Sequence, residues 1–133
     1  MDERTALTRI DDILRTDFAT DPAACAGTET TRWMRADRLQ IELLVENGDF
    51  RAVGTLCEID FDADLGEVLA AIKKANEGLE HARIFEADNY IRIEARTMLA
   101  GAESSAQLKA CIDHVIAAAK ARSALARFRS MPF

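Results

Sequence analysis

Apolar residues alternate with polar ones from Leu39 to Leu56 and again from Ala82 to Ala95. Before, between and after these stretches they recur every three to four positions instead. The first pattern predicts strands with one buried face, the second amphipathic helices. Leu7, Ile10, Ile13 and Leu14, with Arg9, Asp11, Asp12 and Arg15 between them, predict a helix of about three turns. Thr20-Asp21-Pro22 through Gly27-Thr28 reads as a loop, and Thr30 to Arg35 as a short strand carrying the only tryptophan, Trp33.

Asn47-Gly48 closes the first alternating stretch into a hairpin, because a two-residue type I′ turn needs φ > 0 at both central residues. That turn sets Val45 opposite Phe50, Leu43 opposite Ala52, Ile41 opposite Gly54 and Leu39 opposite Leu56, all on one face. Gln40, Glu42, Arg51 and Thr55 take the other face, which Leu44, Val53 and Cys57 interrupt with apolar surface. The second hairpin turns at Asp88-Asn89, with Ile84 opposite Ile93, Ala82 opposite Ala95 and an Arg83–Glu94 ion pair on its polar face.

Between the hairpins, Leu65, Val68, Leu69, Ile72 and Leu79 have helical spacing. Asp64 and Glu67 form a capping-box signal at the start, and Gly78 is placed to end the helix. Ser104 and Gln107 cap a last helix that turns Leu108, Cys111, Ile112, Val115, Ile116 and Ala119 toward the core. The order is therefore α-β-β-β-α-β-β-α. Tight turns make neighbouring strands antiparallel, so the fold class is α+β: one antiparallel sheet with helices packed on one face. At 133 residues, positions 1–133 read as a single domain.

Composition narrows the classes. Apolar residues make up 49% and charged residues 30%, a globular balance. No apolar run approaches the roughly 20 residues of a membrane span, and the charged start Met1-Asp2-Glu3-Arg4 has no signal-peptide core. The expected location is cytoplasmic. Cys25, Cys57 and Cys111, an odd and irregularly spaced set, read as free thiols. A net charge of −6 argues against nucleic-acid binding. Every acidic residue lies at or before Asp113, so Lys120, Arg122, Arg127 and Arg129 make a cationic tail. That tail either complements a helix dipole or docks an acidic partner.

Candidate chemistry is thin. Asp60, Asp62 and Asp64 alternate as calcium ligands do, but an EF-hand loop needs Gly at its sixth position and Glu at its twelfth. Leu65 and Ala71 stand there, so a strand exit and helix N-cap is the better reading. Cys111 and His114, three apart on a helix, are positioned to meet as a nucleophile–base pair or half a metal site, yet Cys111 lies on the apolar stripe. His81 reads as a cation at a helix exit. No catalytic residue, metal site or cofactor is expected. What remains is a binding surface: Leu44 and Val53 on the outer face of the first hairpin, Tyr90 and Arg92 on that of the last strand.

Leu39-Gln40-Ile41-Glu42-Leu43, Ala75-Asn76-Glu77-Gly78-Leu79, Ala82-Arg83-Ile84-Phe85, and Ile91-Arg92-Ile93-Glu94-Ala95 leading into Met98-Leu99 form a recognisable set. Together they resemble the YbjN-like family of bacterial sensory transduction regulators, whose fold is similar to class I type III secretion chaperones. Asn76 and the Gln107-Leu108 helix start add to the resemblance. It covers roughly residues 30–122, leaving 1–28 as an N-terminal helix and loop and 123–133 as the cationic tail. The resemblance implies a non-enzymatic protein, expected as a homodimer, that binds a partner or client segment. It carries over no functional residue, and Leu44, Val53, Tyr90 and Arg92 on the outer face remain the candidate contacts. The alternative is a small-ligand-sensing regulatory domain with a pocket between sheet and helices.

Overall fold

The structure, a computed structural model, describes residues 1–21, 26–102 and 104–130. Cys25 and part of the expected loop at 20–28 lie outside the described residues. Helix α1 (Glu3–Asp17) is followed by strands β1 (Ala26–Thr28), β2 (Thr31–Ala36), β3 (Leu39–Glu46) and β4 (Asp49–Glu58). Then come α2 (Leu65–Asn76), β5 (Arg83–Ala87), β6 (Tyr90–Met98), α3 (Ser105–Ala118) and the short α4 (Arg122–Leu125). The strands form one antiparallel sheet in the order β1-β2-β3-β4-β6-β5.

Two-residue turns join the hairpins of this sheet, and three of them share one geometry. Asp37-Arg38, Asn47-Gly48 and Asp88-Asn89 all have positive φ at both positions, the geometry that matches the strands' own twist. The first hairpin pairs Val45 with Phe50, Leu43 with Ala52 and Ile41 with Gly54, as the alternation requires. Pairing ends at Gln40–Thr55, so Leu39 and Leu56 fall outside it. Ala82 likewise lies just before β5, while Ile84–Ile93 and Arg83–Glu94 are in register.

Three expectations are corrected. Ala26–Thr28 is a strand, not loop, paired antiparallel to β2. Cys57 leaves the outer face, because the register shifts between Thr55 and Cys57 and sets Cys57 opposite Ile91 on the inner side. Burial there pushes its thiol pKa up, against a smaller lowering by Arg129. Helix α2 stops at Asn76, two residues before Gly78, and Gly78 is not in the left-handed conformation. The last helix gives way after Ala118 to 3₁₀ turns around α4.

Helices α1, α2 and α3 close over one side of the sheet. Ile41, Leu43, Val45, Phe50, Ile91 and Ile93 supply its buried inner face. Ile10 and Leu14 of α1, Val68 and Ile72 of α2, and Leu108, Ile112 and Val115 of α3 cover it. Arg32 of β2 ties α1 down through Asp11 at 2.9 Å. The C-terminal segment is part of this body. Leu125 and Phe128 are buried. Asp60 N–H donates to the Phe128 carbonyl and Ser130 N–H to that of Glu58, and Ile59 bridges Arg129.

At the sheet's edge, the Asn76 side chain grips β5. Its amide nitrogen donates to the Ile84 carbonyl at 2.9 Å, and its oxygen accepts from Ile84 N–H at 2.7 Å. Counting back from the Asp88-Asn89 turn, Ile84 is a residue whose backbone groups face away from β6. Asn76 thus stands in for a missing neighbouring strand.

Candidate partner-binding site

Strand alternation sends the other half of the side chains to the outer face, opposite α1, α2 and α3. The pairing arranges them in rows. Trp33, Glu42, Val53, Glu94 and Arg83 form one row across β2-β3-β4-β6-β5, and Arg35, Gln40, Thr55, Arg92 and Phe85 the next. Leu44 and Arg51 lie in the row on the other side, with Thr31 and Arg96. Leu44, Val53, Arg92 and Tyr90 therefore do share one face, on a diagonal from β3 to β6.

Their exposures differ. Leu44, Tyr90 and Arg92 are half-buried. Val53 is only 7% exposed, yet it stands apart from the core on the inner face. Glu42 and Glu94 flank it in its row. Trp33, in the row of Val53, and Phe85, in the row of Arg92, add apolar surface to this face and are absent from the sequence-derived set. The register of the Thr30–Arg35 strand against β3 was the signal that locates Trp33 beside Glu42.

Charged groups on this face are knitted together. Arg51 Nε lies 2.9 Å from Glu94 Oε1, Arg83 Nη2 3.2 Å from Glu94 Oε2, and Arg96 Nη2 2.9 Å from Asp49 Oδ2. Arg83 also sits over the Phe85 ring and Arg92 over that of Tyr90, at 4.9 and 5.4 Å from the centroids. Glu94 is 7% exposed. Burial alone would raise its pKa, but hydrogen bonds and charge from Arg51 and Arg83 outweigh it and hold the carboxyl below the usual glutamate value. The native state therefore binds this proton less readily than the unfolded chain does. Its stabilisation is present in full above the unfolded glutamate pKa, about 4.3, and is lost as pH falls through the depressed native value. Urea unfolding midpoints should show a step through this acidic range that is absent in Glu94→Gln.

The other candidates resolve against chemistry. Cys111 is buried, and desolvation pushes its pKa up to about 11, so the thiol stays protonated at neutral pH. His114 stacks on His81 instead, with ring centroids 4.6 Å apart and planes at 26°. Asp60 Oδ1 accepts from Asp62 N–H, and Asp64 Oδ1 from Gly66 and Glu67 N–H, the turn and cap anticipated in place of a calcium loop. Among the described residues, no three His, Cys, Asp or Glu side chains are grouped to hold a metal ion. No helix of the described residues is long and apolar enough to cross a membrane.

Two further surfaces stand out. Phe61, Leu65 and Leu69, four residues apart in turn, are 90%, 55% and 48% exposed. Helix α2 buries only Val68 and Ile72, because its apolar arc is wider than its contact with the sheet. A groove of about 1140 Å³ runs between the other flank of α2 and residues 124–128, lined by Ala70, Ala71, Ala75, Ala124 and Phe128. It lies between two helical segments, not between sheet and helices.

No family model matches the chain, and no curated protein sequence matches it. Solved structures do. A chain of the ExsC–ExsE complex superposes with a TM-score of 0.66 at 10% identity, covering 99% of this chain and 100% of the other. YbjN from E. coli gives 0.64 at 11% identity, covering 90% and 89%. A chain of the HopA1–SchA chaperone–effector complex gives 0.62 at 14%, covering 95% and 99%.

Proposed function

The fold is that of YbjN and of type III secretion chaperone structures, and from it we propose that the protein is a non-catalytic, cytoplasmic binding module that takes a segment of a partner protein on its outer sheet face. One observation carries this reading: Trp33, Leu44 and Val53 in neighbouring rows, with Tyr90 two rows beyond Val53, put apolar side chains on the side of the sheet opposite α1, α2 and α3. Chaperone–effector complexes among the similar structures support it. Leu44, Val53, Tyr90 and Arg92 are the contact residues, joined by Trp33.

The same proposal includes a homodimer through Phe61, Leu65 and Leu69. Helix α2 is acidic at its start (Asp64, Glu67) and basic toward its end (Lys73, Lys74), so an antiparallel two-fold pairing sets opposite charges together. Asn76 blocks the neighbouring strand edge, which favours helix contact over sheet extension.

Cross-linking in the native cells, with capture on tagged protein and mass spectrometry, tests the reading. One stoichiometric partner should be captured by the wild type and lost with Leu44→Asp or Tyr90→Ala, while unfolding midpoints stay within about 1 kcal/mol. Unfolding of both variants would place these positions in the core and end the proposal. Sedimentation of the same wild-type protein should give twice its 14.7 kDa, and Leu69→Glu the monomer mass.

A further inference from the structure

The charges of the outer face specify what kind of segment it takes. The chain has a net charge of −6, and the outer face as a whole balances Arg35, Arg51, Arg83, Arg92 and Arg96 against Glu42, Glu46, Asp49, Glu58 and Glu94. Its positive charge is local: the row Arg35-Gln40-Thr55-Arg92-Phe85 holds two arginines and no carboxylate. Asp49 and Glu94 are already engaged by Arg96, Arg51 and Arg83. Arg35 and Arg92 have no carboxylate partner among the described residues. Arg92 goes further: its Nε is buried and donates to nothing. A buried guanidinium donor without an acceptor is a cost that a native structure rarely carries without use. The Tyr90 ring beside it helps hold the fork in place.

We infer that the partner segment is acidic and extended, with two carboxylates spaced to reach Arg92 and Arg35 and an apolar residue midway. This rests on the outer face being the docking surface. Arg35 on β2 and Arg92 on β6 share one row and are three strands apart, about 14 Å at the usual strand spacing. An extended chain covers that distance in about four residues, an even number that keeps both carboxylates on one side. The residue halfway then falls over Gln40 and Thr55, alongside Trp33 and Val53. Guanidinium groups take carboxylates bidentately, so each contact fixes position as well as charge.

The test uses the full chain and a fluorescein-labelled nine-residue peptide. It carries glutamate at its third and seventh positions, valine at its fifth and threonine elsewhere, and is compared with a peptide having lysine in place of glutamate. Anisotropy reads affinity, and amide NMR shifts locate the site. The acidic peptide should bind, shift outer-face residues of β4 and β6, and weaken about tenfold with either Arg92→Gln or Arg35→Gln. Arg35 is exposed, so its variant keeps the test sound should Arg92→Gln fail to fold. Equal binding of the lysine peptide at this face overturns the acidic preference and leaves the docking reading standing. Unchanged affinity in the arginine variants, or shifts confined to other surfaces, overturns the inference while partner capture through Leu44 and Tyr90 still judges the wider proposal.

Discussion

Replacing Asn76 with alanine should destabilise the fold by about 2–4 kcal/mol, since it orphans a backbone donor and a backbone acceptor together. Asn76 ends α2, and its carboxamide is the partner for both Ile84 N–H and Ile84 C=O on the edge strand. Ile84 is itself buried, so water is poorly placed to substitute. Asn76→Asp separates the two bonds: the carboxylate still accepts from Ile84 N–H but faces the Ile84 carbonyl with no donor. It should fall between wild type and alanine at neutral pH. Urea unfolding followed by circular dichroism measures both. A loss below about 0.5 kcal/mol for alanine, the range of an ordinary surface change, would falsify the role. The alanine variant should also self-associate more readily, because the freed backbone of β5 becomes an open strand edge.

Gly54→Val should cost about 1–3 kcal/mol through overpacking. In most strand interiors a side chain in place of glycine is an improvement, since glycine forfeits backbone entropy on folding. Here sterics reverse the sign. A Cβ on Gly54 would stand 2.9 Å from Val115 Cγ1 and 3.5 Å from Leu39 Cδ1. Val115 is fully buried and β-branched, so it has little rotamer freedom to yield. The glycine lets α3 approach the sheet closely. A double variant, Gly54→Val with Val115→Ala, should recover more than half of the loss. Equal destabilisation in the single and double variants would show that the valine is tolerated by shifting something else.

Most of this fold was legible because strong local signals agreed with the tertiary arrangement. Asn47-Gly48 and Asp88-Asn89 specify their turns, and a turn once fixed sets every pair along its hairpin. Asp37-Arg38 makes the same kind of turn with residues that do not advertise it, Arg38 at φ 65° above all. Ala26–Thr28 is three residues long and gains its place from β2, so no periodicity betrays it. Cys57 was assigned to the wrong face because one extra residue in a strand reverses all alternation beyond it. The site was half legible for a similar reason. Alternation places Leu44, Val53, Tyr90 and Arg92 on one face, but the engagement of Glu94 there depends on Arg51 and Arg83 reaching it from the strands on either side. The exposure of Leu65 and Leu69 depends on how much of α2 the sheet covers, which a helical period does not contain.

The glycine contact under α3 also bears on synthesis. Among the described residues the six strands are complete at Met98, whereas the helix whose Val115 packs over Gly54 begins at Ser105. A nascent chain therefore passes through a stage with a finished sheet whose apolar inner face lacks its α3 cover, the kind of surface that aggregates in incomplete chains. Premature termination between residues 99 and 104 leaves that stage as the end product. For this protein, the last quarter of translation decides whether the first three quarters stay soluble.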